Sequence, residues 1–247
     1  MKLTKVILVV NDNPNYYKFA NDVYDIWKNH IKIQPHLFII TDDKSKIELD
    51  FGNRIVQYIN PIPDIPTAFQ SQVIRLLLPC LYLDDFIIIT DIDMIPIQKK
   101  FFKKYIKYIS DDIFIKYFHT HQMCYNCAKG EIWRKIFKAS SISDIQNIIK
   151  FWYTKFNGVR VTDQIVLKYY LEEYNGSKLI LTSYLPNNTV IKRLSTYSEK
   201  NILKELNFNT LSEYLDFHLH HIFESNDNTT KYKDLVKFIL TQNHNHK

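Results

Sequence analysis

The run Phe86-Ile87-Ile88-Ile89-Thr90, followed at once by Asp91-Ile92-Asp93, constrains the fold of this chain more than any other segment. The run is short, apolar and β-branched. Asp84-Asp85 bound it on one side and Pro96 on the other. Such a segment reads as a buried strand of a mostly parallel sheet, covered on both faces. Its two acids then sit at the carboxyl end of a central strand, where open α/β sheets bind their ligands. A pair of hard oxygen ligands at that point suits Mg²⁺ or Mn²⁺ shared with a substrate phosphate. At this aspartate content about one D-x-D arises by chance in a chain of this length, so the flanking strand and proline carry the weight.

The rest of the chain alternates in a way that agrees. Val6–Val10 reads as a first strand. Asn11-Asp12-Asn13-Pro14 turns the chain, with Asn13 as a cap and Pro14 at the first helical position. Phe19, Val23, Ile26 and Trp27 recur at helical spacing, which predicts one helix over 14–29. Leu37–Ile40 and Ile55–Ile59 predict two more strands. After three prolines, Thr67 and Gln70 have capping-box spacing ahead of a helix that Pro79 stops or kinks. Further on, the pattern predicts a helix near 99–108, a strand over Ile113–Phe118, a short helix from Gly130 to Phe137, a turn at Asn157-Gly158, and a helix over about 163–174 capped by Thr162. Beyond about residue 180 the pattern is less regular. The fold class expected is α/β, a mixed and mostly parallel central sheet flanked by helices. No repeat or low-complexity linker divides the chain, so residues 1–247 are expected to form one domain. Within it, two parts are expected, about 1–97 and about 98–247.

Composition narrows the function. With 46% hydrophobic and 15% aromatic residues, the 247-residue chain is globular and can bury a sizeable core. It has 4 glycines, and neither G-x-G-x-x-G nor G-x-x-x-x-G-K-S/T occurs, which argues against a Rossmann dehydrogenase or a P-loop enzyme. The net charge is +6, but the lysines are scattered apart from Lys99-Lys100 and Lys103-Lys104, so no nucleic-acid partner is expected. Three cysteines, Cys80, Cys124 and Cys127, and no leader segment point to a reducing compartment. Cys124 and Cys127 have zinc spacing without a second pair of ligands. No stretch is long and apolar enough to span a membrane, and a soluble, cytoplasmic protein is expected.

Two segments carry a resemblance. Ser71-Gln72-Val73-Ile74-Arg75-Leu76, followed by Ile88-Ile89-Thr90-Asp91-Ile92-Asp93-Met94-Ile95-Pro96, resembles the core of GT-A-fold, D-x-D-containing glycosyltransferases. Thr162-Asp163-Gln164, opening a helix, resembles the Asp-Gln pair of glycogenin-like enzymes. The resemblance covers about residues 5–220, but the chain lacks the C-terminal His-x-x-Gly-x-x-Lys-Pro signature. It implies a metal-dependent transferase that takes a sugar from a UDP- or GDP-sugar and passes it to a glycan, lipid or protein acceptor. Asn11, Arg75 and Asp91 would contact the donor. Asp163 and Gln164 would be catalytic, and the pair leans toward retention of the anomeric configuration. Tyr125-Asn126-Cys127-Ala128-Lys129-Gly130 is similar to the acceptor-side segment of that fold, which puts Asn126, Ala128 and Gly130 beside the acceptor. Asp91, Asp93 and a histidine would hold Mn²⁺ or Mg²⁺. The histidine is expected from Asp216-Phe217-His218-Leu219-His220-His221, with His218 first and His220 in reserve.

Other classes compete. A haloacid-dehalogenase-type phosphatase also ends a strand in D-x-D, with the first Asp as nucleophile. That motif normally lies on the first strand and is followed by Thr or Val two residues later. In this chain it lies past residue 90 and is followed by Met94-Ile95. A nucleotidyltransferase would need a glycine-rich loop after Val6–Val10, and none follows. A non-catalytic sugar-binding or scaffold protein of the same fold is the remaining alternative.

Overall fold

The computed structural model describes residues 2–103, 106–118, 123–184, 192–195, 208–219 and 226–241. The first half contains β1 (Lys5–Asn11), α1 (Pro14–Tyr17), α2 (Ala20–Asp25), β2 (Gln34–Ile40), β3 (Val56–Ile59), α3 (Thr67–Ile74), β4 (Phe86–Ile89), β5 (Met94–Pro96) and α4 (Lys99–Lys103). The second half contains β6 (Phe114–Lys116), β7 (Asn126–Lys129), α5 (Gly130–Phe137), α6 (Ile142–Phe156), α7 (Thr162–Glu173), β8 (Lys178–Ile180), β9 (Lys192–Ser195), β10 (Tyr214–His218) and α8 (Asn226–Thr241).

Seven strands form the central sheet in the order β3-β2-β1-β4-β7-β6-β8. The pairs β3·β2, β2·β1, β1·β4 and β6·β8 are parallel, and β7 runs antiparallel to both its neighbours. This is the mixed, mostly parallel sheet the sequence predicts. Alternation along β1 shows why it is central. Val6, Leu8 and Val10 enter one hydrophobic cluster and Ile7 and Val9 the other, so both faces of the sheet are covered. Trp27, fully buried, packs on the first face and Trp133, from α5, on the second. Each such side chain stabilises the fold by roughly 1.5–3 kcal/mol. A second sheet, β5-β10-β9, stands beside the first, and β5 follows β4 by a turn through the two acids.

Several local expectations are corrected. The helix expected over 14–29 is broken: α1 stops at Tyr17, α2 begins at Ala20, and Ile26–Ile31 widens into a π-turn closed by Lys32 at φ 63°. Its apolar positions Phe19, Val23, Ile26 and Trp27 are nonetheless buried. Thr67 is not a cap, because Pro66 holds that position and Thr67 begins the helix. Gln70 does not complete a capping box either. Its amide bonds Ile62 N–H at 2.9 Å, Ile62 C=O at 3.0 Å and Ile65 C=O at 2.7 Å, which closes the proline-rich loop before α3. Thr162 likewise starts α7, with Val161 before it, and donates to the Val159 carbonyl at 2.6 Å. Helix α6 was not expected. Ser141 caps it by accepting from Asp144 N–H, and Asn157 and Gly158, both at positive φ, end it.

Gly130 also has a structural reason. A Cβ there would lie 2.0 Å from the Tyr82 carbonyl oxygen and 2.8 Å from that of Pro79. No backbone can yield that far without moving α5 off its neighbours. Gly130→Ala should therefore cost about 3 kcal/mol or more, read as a fall in thermal midpoint. An unshifted midpoint would show that α5 seats elsewhere.

Candidate functional site

Strand order places a switch point between β1 and β4. The chain leaves β1 toward β2 and β3, then returns on the other side to form β4. A crevice opens at such a point beyond the carboxyl ends of the strands. It is a cleft of about 690 Å³, bordered by Asn11, Arg75, Asp91, Asp93, Asp163, Gln164 and His218 among others. Sequence positions far apart thus converge at one edge of the sheet.

The acids are placed by the turn between the two sheets. Met94 N–H donates to the Asp91 carbonyl at 3.3 Å, and β5 then pairs antiparallel with β10, Met94 opposite His218. Leu219 N–H donates to the Asp93 carbonyl at 2.9 Å, extending that pairing by one step. The backbone register therefore brings His218 to Asp93, with Nε2 3.4 Å from Asp93 Oδ2. Asp93 is buried and His218 is partly exposed to the cleft.

Arg75 organises the other acids. As the C-cap of α3 it points its guanidinium between two carboxylates. Nη1 donates to Asp91 Oδ1, and Nη2 donates to Asp163 Oδ2 at 2.7 Å. Nε is buried with no hydrogen-bond partner. Asp163 is 1% exposed, and its other oxygen accepts from the Gln164 backbone N–H at 2.8 Å. Both carboxylate oxygens of Asp163 are thus committed. The exposed side chain of Gln164 borders the cleft beside them. Asn11, at the end of β1, donates through Nδ2 to Thr67 Oγ1 at 3.2 Å and so ties β1 to the start of α3.

The expected acceptor-side residues lie elsewhere. Asn126 and Ala128 belong to β7, between β4 and β6, and neither borders the cleft. Asn126 is 1% exposed and its amide donates to the Met123 carbonyl at 3.0 Å; Ala128 is in the second hydrophobic cluster. Gly130 packs under the Tyr82 backbone. Their segment still contributes, since Met123 and Cys124 just before β7 border the cleft. His220, the reserve ligand, lies outside the described residues.

Residues the sequence does not flag complete the walls. Tyr153 comes from α6, Asn157 and Arg160 from the connection to α7, and Arg193 from β9. The signal for α6 is present in Ser141-x-x-Asp144 ahead of Ile145, Ile149 and Trp152. Nothing in the sequence marks Arg193, because its role depends on β9 pairing with β10. Its Nε donates to Asp216 Oδ1 at 2.8 Å and its guanidinium lies 4.6 Å from the Phe118 ring centroid. Burial pushes the Asp216 carboxyl up, and the neighbouring guanidinium opposes that shift. Burial also pushes the Cys124 thiol up, with Arg193 opposing. All three cysteines are buried and in no disulfide, and among the described residues the C-x-x-C pair gathers no metal-binding cluster.

For a divalent cation, the chemistry of the donor set is a carboxylate facing an imidazole, with a second carboxylate in the same turn. Among the described residues no three His, Cys, Asp or Glu side chains form a ready cage. Asp93 and His218 are the pair that fits a cation, with Asp91 turned toward Arg75. Such a two-ligand protein site suits a cation whose other positions are filled by substrate phosphate and water.

No protein-family model matches the chain, and no curated protein matches it. The solved structure of the galactosyltransferase LgtC, in complex with donor and acceptor sugar analogs, is similar with a TM-score of 0.52. The match covers 97% of this chain and 96% of that one at 11% identity, so it bears on architecture along the whole length. The chain has the GT-A-like mixed α/β fold of that glycosyltransferase.

Proposed function

We propose that this chain is a metal-dependent glycosyltransferase that moves a sugar from a nucleoside diphosphate, UDP or GDP, to an acceptor. The observation that carries the reading is the meeting of Asp93 and His218 beside the Arg75–Asp91–Asp163 network, in the crevice between β1 and β4. The galactosyltransferase LgtC, bound to donor and acceptor sugar analogs, has the same architecture, which supports a sugar donor for this cleft.

Transfer breaks the bond between an anomeric carbon and a diphosphate, through a transition state of oxocarbenium character. Asp93 and His218 would hold Mn²⁺ or Mg²⁺, with Asp91 nearby. When bound, the cation neutralises charge on the leaving diphosphate, more in the transition state than in the ground state. Arg75 positions Asp91 and Asp163, and borders the cleft where the donor would lie. Asp163 fixes the network, and Gln164 reaches the cleft. A carboxylate with both oxygens engaged is poorly placed to take the acceptor's proton, which favours retention over inversion. The three free cysteines suit a reducing, cytoplasmic setting.

The reading is tested by nucleoside diphosphate release from UDP- and GDP-sugars with Mn²⁺. Asp163→Asn keeps the shape and removes the charge, and should cut turnover about 100-fold or more with donor affinity unchanged. Equal losses in both would make Asp163 a binding residue.

A further inference from the structure

Arg193 has no part in the reading above, yet it borders the same cleft. It comes from β9, which runs parallel to β10 with Ser195 opposite His218 and Leu194 opposite Phe217. That register sets it beside Asp216, two positions before His218. Its Nε donates to Asp216 Oδ1 at 2.8 Å, and the Asp216 side chain is 0% exposed. The guanidinium lies 4.6 Å from the Phe118 ring centroid, and Nη2 lies 3.8 Å from Met94 Sδ and 3.5 Å from Cys124 Sγ. A buried carboxylate, a ring and two sulfurs, from four separate segments, thus hold one side chain at the cleft wall.

Stability alone does not call for this arrangement. Taking a carboxylate wholly out of water is expensive, and apolar side chains of similar volume commonly serve a core as well or better. What the pair supplies is an arginine that cannot swing. A guanidinium anchored at Nε and set against a ring offers its donors in a fixed direction, which suits the oxygens of a phosphate.

Position indicates which anion. Met94 follows Asp93 in the turn and pairs with His218 between β5 and β10, so a guanidinium in contact with Met94 stands on the metal pair's side of the cleft. The acids that border the cleft are held by other groups, Asp91 and Asp163 by Arg75 and Asp93 beside His218. Asp216, which holds Arg193, does not border the cleft. Arg193 therefore faces a space where a ligand brings the negative charge. In the transferase reading that ligand is the donor's diphosphate. As its bond to the anomeric carbon breaks, the electron pair stays on the phosphate oxygen, and a fixed cation there favours the transition state over the ground state.

We propose that Arg193, anchored by Asp216, binds the phosphate next to the donor sugar and stabilises it as it leaves. The proposal rests on the transferase reading and adds a residue to it.

The test is calorimetry on the full chain with Mn²⁺, using UDP against UMP and GDP against GMP. Arg193→Met by itself would strand a buried carboxylate, so it is made in an Asp216→Asn background, and Asp216→Asn alone is the reference. The reference should bind the diphosphate more tightly than the monophosphate. Adding Arg193→Met should weaken diphosphate binding about tenfold, the effect of one charge-assisted hydrogen bond, and change monophosphate binding less than about twofold, with the thermal midpoint kept. Equal losses for both nucleotides, or an unchanged diphosphate affinity, overturn the proposal while leaving the transferase reading in place. A folded parent that binds neither UDP nor GDP overturns both.

Discussion

Asp93→Ala should remove Mn²⁺-dependent binding of a nucleoside diphosphate and lower turnover by two to three orders of magnitude, about 3–4 kcal/mol of transition-state stabilisation. The expectation follows from position. Asp93 sits in the turn that joins the two sheets, is 5% exposed, and lies 3.4 Å from His218 at the edge of the cleft. Its backbone also ties the turn to β10 through Leu219 N–H, a bond that Ala keeps. The substitution should thus spare the fold, and a thermal midpoint near that of the parent would show it. His218→Ala should lower metal affinity by about 10–100-fold, because the proposed site takes this imidazole as its second ligand. Metal-dependent binding that survives Asp93→Ala would move the cation away from this turn.

Arg75→Ala should act on stability as well as on turnover. Removing the guanidinium leaves Asp163 at 1% exposure with no counter-charge and frees Asp91. Breaking a buried pair by deleting one partner costs about 3–5 kcal/mol. For a chain of this size that corresponds to a fall in thermal midpoint of about 10 °C. Adding Asp163→Asn to Arg75→Ala should recover much of that loss, because an amide needs no counter-charge, while turnover stays low. Additive losses in the double variant would show that the two side chains do not act as a pair. Arg75→Lys keeps the charge but loses the fork that serves both acids, and should fall between the parent and Arg75→Ala.

Some of this was legible in the sequence for clear physical reasons. A strand covered on both faces must be apolar throughout, so β1 and β4 stand out as Val6–Val10 and Phe86–Ile89. The acids that end β4 follow from that. Arg75 and Asp163 lie on helices whose apolar spacing is plain, so their elements could be placed, but not the bonds between them. What was not legible depends on pairing across long separations. His218 was expected near the two acids from the resemblance alone; the pairing of β10 with β5 that brings it to Asp93, over 120 positions away in the chain, is a register no local pattern encodes. Arg193 enters the cleft by the same route, through β9 on β10. The resemblance puts Asn126, Ala128 and Gly130 beside the acceptor, but compact side chains such as those of Ala128 and Gly130 serve equally well where strands and helices crowd. The crowding is what the structure has: β7 lies between two strands and Gly130 lies against Tyr82. At Thr67 the local signal was real but outranked, since Pro66 takes the cap and Gln70 bonds the loop.

The most direct measurement is a calorimetric titration of UDP and of GDP into the full chain, each with and without Mn²⁺. The account predicts that one nucleotide binds, that its binding requires the metal, and that Asp93→Ala abolishes it. Binding of neither nucleotide under either condition, by a chain whose thermal midpoint shows it folded, would contradict the account.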